Sequence, residues 1–138
     1  MIYMLIEASD NIFMKVKLRM DKIIEVLRKL RVNPVNVEYD LQQEIANILK
    51  ENHIPYSKEY QLGPRNRVDF LAGTGIVIEV KKGKPGKVQV VKQLERYASF
   101  DMVSGIVLVV EKNLDIPRKI NGKPCVSLGL NKLWGIAL

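Results

Sequence analysis

Apolar and polar positions follow several different periods along the chain, and each change of period marks an element. Between Phe13 and Leu18, Phe13, Lys15 and Lys17 alternate with Met14, Val16 and Leu18 as they would on a strand, and residues 1–19 are expected to form an added element or an arm, the first part of a strand/helix extension. From Asp21 the period lengthens. Ile23, Ile24, Leu27 and Leu30 fall on one helical stripe among Lys22, Arg28, Lys29 and Arg31, and Asn33-Pro34-Val35-Asn36 ends it. A second helix is expected from about Val37 to Asn52, with Leu41, Ile45, Ile48 and Leu49 on its buried stripe.

After His53-Ile54-Pro55 the pattern turns to strands. Tyr56 to Leu62 is one. Gly63-Pro64-Arg65-Asn66 leads into a second that carries Asp69, and Gly73-Thr74-Gly75 supplies the left-handed backbone for a short connection into a third ending at Lys81. A helix follows from about Val88 to Phe100 with Val90, Val91, Leu94 and Ala98 as its apolar stripe. Gly105-Ile106-Val107-Leu108-Val109-Val110 is a continuous apolar run, as in a strand buried on both faces. Strand, crossover helix and second buried strand make a parallel βαβ unit. Residues 113–123 are expected as loop or short helix, and Cys125–Leu128 and Lys132–Ile136 as added edge strands. The organisation expected is one compact α/β domain, with residues 1–36 as an N-terminal extension packed on a core of residues 37–138.

Composition narrows the class. A chain of 138 residues with 47% hydrophobic content supports one core, and a formal charge of +7 directs attention to a polyanionic partner. The single cysteine, Cys125, leaves no intramolecular disulfide or cysteine-based zinc site and is expected in the core. The apolar opening Met1–Ile6 is cut by Glu7 and Asp10, far short of the roughly 20 residues needed to cross a bilayer, so an intracellular, soluble protein is expected.

The chemistry concentrates in two strands. On the third strand Ile76, Ile78 and Val80 share one face, while Val77, Glu79 and Lys81 share the other; on the second, Val68 and Phe70 are expected opposite Arg67, Asp69 and Leu71. Pairing of these strands brings Asp69 beside Glu79. Two acids that close repel unless positive charge lies between them, and a hard divalent cation with oxygen ligands is the usual solution. Lys81 is then placed to orient a water or stabilise negative charge. On the second helix, Glu38 lies near the buried face and Glu44 at its edge; by itself Glu38 reads as a charge complementing the helix dipole. On the third helix Gln93 and Tyr97 are one turn apart on the face bordering the sheet. Arg65, Arg67, Lys82, Lys84, Lys87, Lys92 and Arg96 surround these groups in sequence and are candidate phosphate contacts. His53, beside a proline break, is expected as a loop or capping residue.

Together these motifs resemble the PD-(D/E)XK nuclease superfamily, whose core has the order αβββαβ with a central mixed sheet flanked by helices. Glu38-x-x-Leu41, Glu59, Arg67-Val68-Asp69-Phe70, Ile78-Glu79-Val80-Lys81 and Val91-x-Gln93-Leu94-x-Arg96-Tyr97 look like the catalytic domain of archaeal NucS-type and RecB-like endonucleases. The resemblance covers residues 37–110. Val68 stands where the superfamily's naming proline would precede Asp69, and no DNA-binding domain of the NucS type is recognisable before residue 37, so that family's substrate preference does not carry over.

The resemblance implies a restriction-endonuclease-like fold and a metal-dependent endonuclease acting on DNA, branched, flapped or single-stranded. It implies Asp69, Glu79, the Val80 carbonyl and Glu38 as ligands of Mg²⁺ or Mn²⁺, Lys81 as the group positioning the attacking water, and Gln93 and Tyr97 as groups orienting substrate or the lysine. A dimeric Holliday-junction resolvase of the same fold, a non-catalytic DNA-binding module, and a protein in which the acids and Lys81 form only a salt-bridged cluster are the alternatives.

Overall fold

The computed structural model describes residues 2–30 and 40–130, with residues 2–10 as helix backbone only. Its elements are α1 (Ile2–Leu27), α2 (Leu41–Glu51), β1 (Tyr56–Gly63), β2 (Asn66–Ala72), β3 (Ile76–Lys81), α3 (Lys87–Ala98), β4 (Gly105–Val110), β5 (Lys119–Ile120) and β6 (Lys123–Gly129). The strands form a six-stranded mixed sheet in the order β1-β2-β3-β4-β6-β5. β1, β2 and β3 are successively antiparallel, whereas β3, β4 and β6 run parallel. From α2 to β4 the expected αβββαβ order is therefore observed, including the parallel β3–α3–β4 unit.

Each face of the sheet has its own apolar layer. α1 and α2 bury Met20, Leu27, Ile45 and Leu49 against Phe70, Ile76, Ile78, Val107 and Val109. On the opposite face α3 buries Val90, Leu94, Tyr97 and Ala98 against Val77, Ile106, Leu108 and Cys125. Every residue of β4 is buried, as its unbroken apolar run requires in the middle of a sheet covered on both sides. Two hinges of the β2–β3 connection, Gly73 (φ 54°) and Gly75 (φ 103°), occupy the left-handed region as expected.

Several expectations are corrected. Residues 2–27 are one helix, not a strand-like arm followed by a helix starting at Asp21, which lies exposed within it. The reason is the stripe Val16, Met20, Ile23, Ile24 and Leu27, which faces the core at helical spacing; Met14 and Leu18 point to solvent, and their alternation with lysines mimicked a strand. Helix α2 starts at Leu41 rather than near Val37, because Asp40 in extended backbone accepts from the Gln42 and Gln43 amides (3.0 and 3.3 Å) and caps it. Val68 and Phe70 do not share a core: Val68 packs with α3's layer and Phe70 with that of α1 and α2. The β1–β2 ladder pairs Lys58 with Phe70 and Tyr60 with Val68 but skips the intervening Glu59 and Asp69, and Glu59 has φ 53°, so regular alternation fails at that level. The 33–36 break, Glu38 and the 132–136 strand lie outside the described residues.

A carboxylate pair where two strands part

The site is built where the β2–β3 ladder stops. Its last pair is Phe70 with Ile78, and continuing that register sets Asp69 opposite Glu79. At that level the carboxylates take over from backbone pairing. The Asp69 amide donates to Glu79 Oε1 (3.0 Å), and the Val80 amide donates to Asp69 Oδ2 (2.8 Å). Each acid is thus clamped to the other's strand. Asp69 Oδ1 accepts no hydrogen bond among the described residues.

Glu79 is 3% exposed and is the buried charged residue of the described chain. Its other oxygen, Oε2, accepts from Tyr97 Oη (3.2 Å) and lies 3.7 Å from Lys81 Nζ, the one ion pair among the described residues. Tyr97 Oη is also 3.1 Å from the Arg67 carbonyl and accepts from Gln93 Nε2 (2.8 Å). With a single proton, the phenol donates to one of its two acceptors at a time. Burial and then the neighbouring Asp69 charge push the Glu79 carboxyl up from 4.5 to about 7, against the pull of the Asp69 amide, Lys81 and Tyr97. Burial and the Glu79 charge push the Tyr97 phenol upward.

The structure therefore brings together Asp69, Glu79, Val80, Lys81, Gln93 and Tyr97. Gln93 bonds Tyr97, and Tyr97 in turn contacts Glu79 and the Arg67 carbonyl at the start of β2. The acids are relieved by backbone amides as well as by a cation. The basic residues are dispersed around this cluster. Lys92 and Arg96, with Gln89 and Gln93, line an open cleft of about 440 Å³ that reaches Lys81. Arg96 also donates to Asn66 (3.4 Å). Lys82 and Lys84 are exposed in the loop after β3, Lys87 is exposed at the start of α3, and Arg67 is exposed on β2. Arg65 is exposed in the β1–β2 turn with φ 62°. Glu44 is half-buried on α2, Glu59 is exposed, and exposed His53 (φ 58°) closes the turn after α2 as expected.

Glu111 is a residue the sequence did not single out. It directly follows β4, its amide bonds the Lys81 carbonyl (3.4 Å), and its carboxylate accepts from the Gly83 amide (3.1 Å), which anchors the basic loop beside Lys81. Its only signal was an acid immediately after a buried strand.

As possible metal ligands, the two carboxylates are hard oxygen donors of the kind Mg²⁺ and Mn²⁺ take. Among the described residues no third Asp, Glu, His or Cys joins them in a metal-holding group. None of the described helices is long and apolar enough to cross a membrane. No family model, curated protein or solved structure matches the chain.

Proposed function

We propose that the chain is a metal-dependent nuclease of the PD-(D/E)XK type, with a restriction-endonuclease-like core, that hydrolyses phosphodiester bonds of DNA in the cytoplasm. One observation carries the reading: Asp69 and Glu79 are held side by side at the parting of β2 and β3, with Lys81 3.7 Å from Glu79 and the basic cleft opening beside it. A purely structural position of this kind is filled more cheaply by apolar pairs.

Asp69 and Glu79 would hold Mg²⁺ or Mn²⁺, with the Val80 carbonyl and Glu38 as further ligands. The free Asp69 Oδ1 and the hard donor set fit that role. When bound, the ion supplies charge to stabilise the pentacovalent phosphate and acidifies a bound water. The protein's own part is positional. Tyr97 and the Asp69 amide fix the Glu79 carboxylate from two sides, Lys81 steadies the attacking water or a phosphate oxygen, and Lys92 and Arg96 hold the flanking phosphates.

The test is cleavage of labelled single-stranded, flapped, mismatched and four-way-junction DNA with Mg²⁺ or Mn²⁺, beside an Asp69→Asn control. Metal-dependent cutting lost in the control is expected; junction-selective cutting by a dimer would identify the resolvase form. Cutting that persists in the control, or none on any substrate, overturns the reading. A second reading draws on the same contacts: three of the four carboxylate oxygens of the pair already have partners, as in a closed structural cluster. Mn²⁺ calorimetry separates the two, since a closed cluster gives no binding heat.

A further inference from the structure

A second cleft lies on the far side of the sheet from β1, along the stretch of β6 that β5 does not cover. β5 pairs only with Lys123 and Pro124. The next residues, Cys125 to Ser127, line a cavity of about 410 Å³ together with α1 and the segment before β5. That volume falls in the range of roughly 300–1,000 Å³ usual for small-molecule sites.

Two independent features point to a ligand. The first is charge. Lys17, Arg118 and Lys119 line the cleft with Asp115 as its single acid, and none of these cations has a carboxylate within ion-pair distance among the described residues, where the one pair is Lys81–Glu79. Lys119 Nζ instead lies 4.8 Å over the Phe13 ring, so an aromatic face and an ammonium group share one wall. The second is polar and internal. Ser127 Oγ is the buried side-chain oxygen with no hydrogen-bond partner among the described residues, and Ser127 lines this cleft. An orphaned buried hydroxyl is uncommon and calls for a partner.

We infer that this cleft binds a nucleotide unit: a dianionic phosphate at Lys17, Arg118 and Lys119, and a flat heterocyclic body against Phe13 and the apolar wall of Leu114, Ile116 and Val126. Excess positive charge selects the phosphate over a monoanion. Ser127, whose buried hydroxyl lacks a partner among the described residues, lines the cleft beside Asn113, which selects a body that carries hydrogen-bonding atoms over a hydrocarbon chain. The unit is either a free nucleotide or the terminal nucleotide of a strand. The site is distinct from the acid pair: Ser127 is level with Glu79 across the sheet, with Leu108 of β4 between them, so their backbones stand about 10 Å apart.

The test is calorimetry on the full chain in EDTA with a nucleoside 5′-monophosphate, with inorganic phosphate, and with a 5′-phosphorylated tetranucleotide. One site for the monophosphate is expected, with inorganic phosphate at least about tenfold weaker. Arg118→Ala with Lys119→Ala should weaken it by about tenfold or more, as for losing charge-assisted contacts. Ser127→Ala should weaken binding while raising the melting temperature of the free protein, because it removes the orphaned hydroxyl. Lys81→Ala should leave binding unchanged, which separates this site from any product bound in the Lys81 cleft. Tetranucleotide binding with the same variant sensitivity identifies a strand end as the source; its exclusion identifies a free nucleotide. No monophosphate binding at millimolar concentration, equal affinity for inorganic phosphate, or sensitivity to Lys81→Ala without sensitivity to the Arg118/Lys119 pair overturns the inference.

Discussion

Glu79→Gln is the perturbation that most directly reads the electrostatics of the acid pair. In the folded chain burial and Asp69 raise the Glu79 carboxyl from 4.5 to about 7. A carboxyl raised on folding is protonated more readily in the folded state, so its contribution is favourable below pH 4.5 and is lost as pH rises through 7. The difference corresponds to about 3 kcal/mol at full titration, which for a chain of this size is on the order of 10 °C in melting temperature. In metal-free buffer the parent should therefore be less stable at pH 8 than at pH 5. The variant keeps an oxygen for the Asp69 amide and an N–H for Tyr97 Oη but carries no charge. It should match the parent near pH 5 and exceed it by up to about 3 kcal/mol at pH 8. Every other group is common to the two proteins, so its contribution cancels in the difference. Urea unfolding at the two pH values measures the effect. A parent and variant whose stabilities run parallel across this range would refute the burial argument. Added Mn²⁺ should stabilise the parent at pH 8 by mass action and leave the variant unmoved.

Three further outcomes are expected. Lys81→Ala should keep Mn²⁺ binding and lose most turnover, because an ammonium is a donor and not a ligand; Asp69→Asn should lose both, and calorimetry beside a cleavage assay distinguishes them. Tyr97→Phe removes the hydroxyl that donates to Glu79 and accepts from Gln93; it should cost about 1–3 kcal/mol at pH 8 and less at pH 5, where Glu79 no longer needs a donor, as denaturation at both pH values will show. Neutralising Lys82, Lys84 and Lys87 together should flatten the salt dependence of DNA affinity in Ca²⁺ by roughly two to three units without altering sequence preference; the parent slope in that variant would move the DNA surface elsewhere.

The readability of the fold varies with how many sides of an element are covered. β4 is buried throughout, so all six of its residues had to be apolar and the run was unmistakable. β3 alternates between two apolar layers, so period two alone separates Ile76 and Ile78 on one face from Val77 and the buried Glu79 on the other. The first part of α1 is illegible in the sequence for the converse reason. Its residues 11–15 include no buried position, and Ile12, Met14 and Leu18 are exposed, so nothing there forces apolar residues onto a helical stripe. Among the described side chains, the core imposes that period from Val16 onward.

At the site, proximity was legible and contact was not. Antiparallel register alone sets Asp69 opposite Glu79, and helical spacing alone sets Gln93 beside Tyr97. That the carboxylates would bond backbone amides depends on the ladder giving way at this level. The irregularity beside it is a left-handed Glu59, a residue type that carries no signal for that conformation. The same holds on the other flank. β3 and β4 stay paired through Lys81 and Val110, and the Glu111 carboxylate then takes the Gly83 amide. Lys81 therefore stands between two acids fixed by backbone, Glu79 within its own strand and Glu111 across the loop. The basic loop that follows is tethered at its first turn rather than free from Lys81 onward. A polyanion that reached Lys81 would meet a lysine whose backbone is already held on both sides, so the ordering left for binding to do there is that of its side chain.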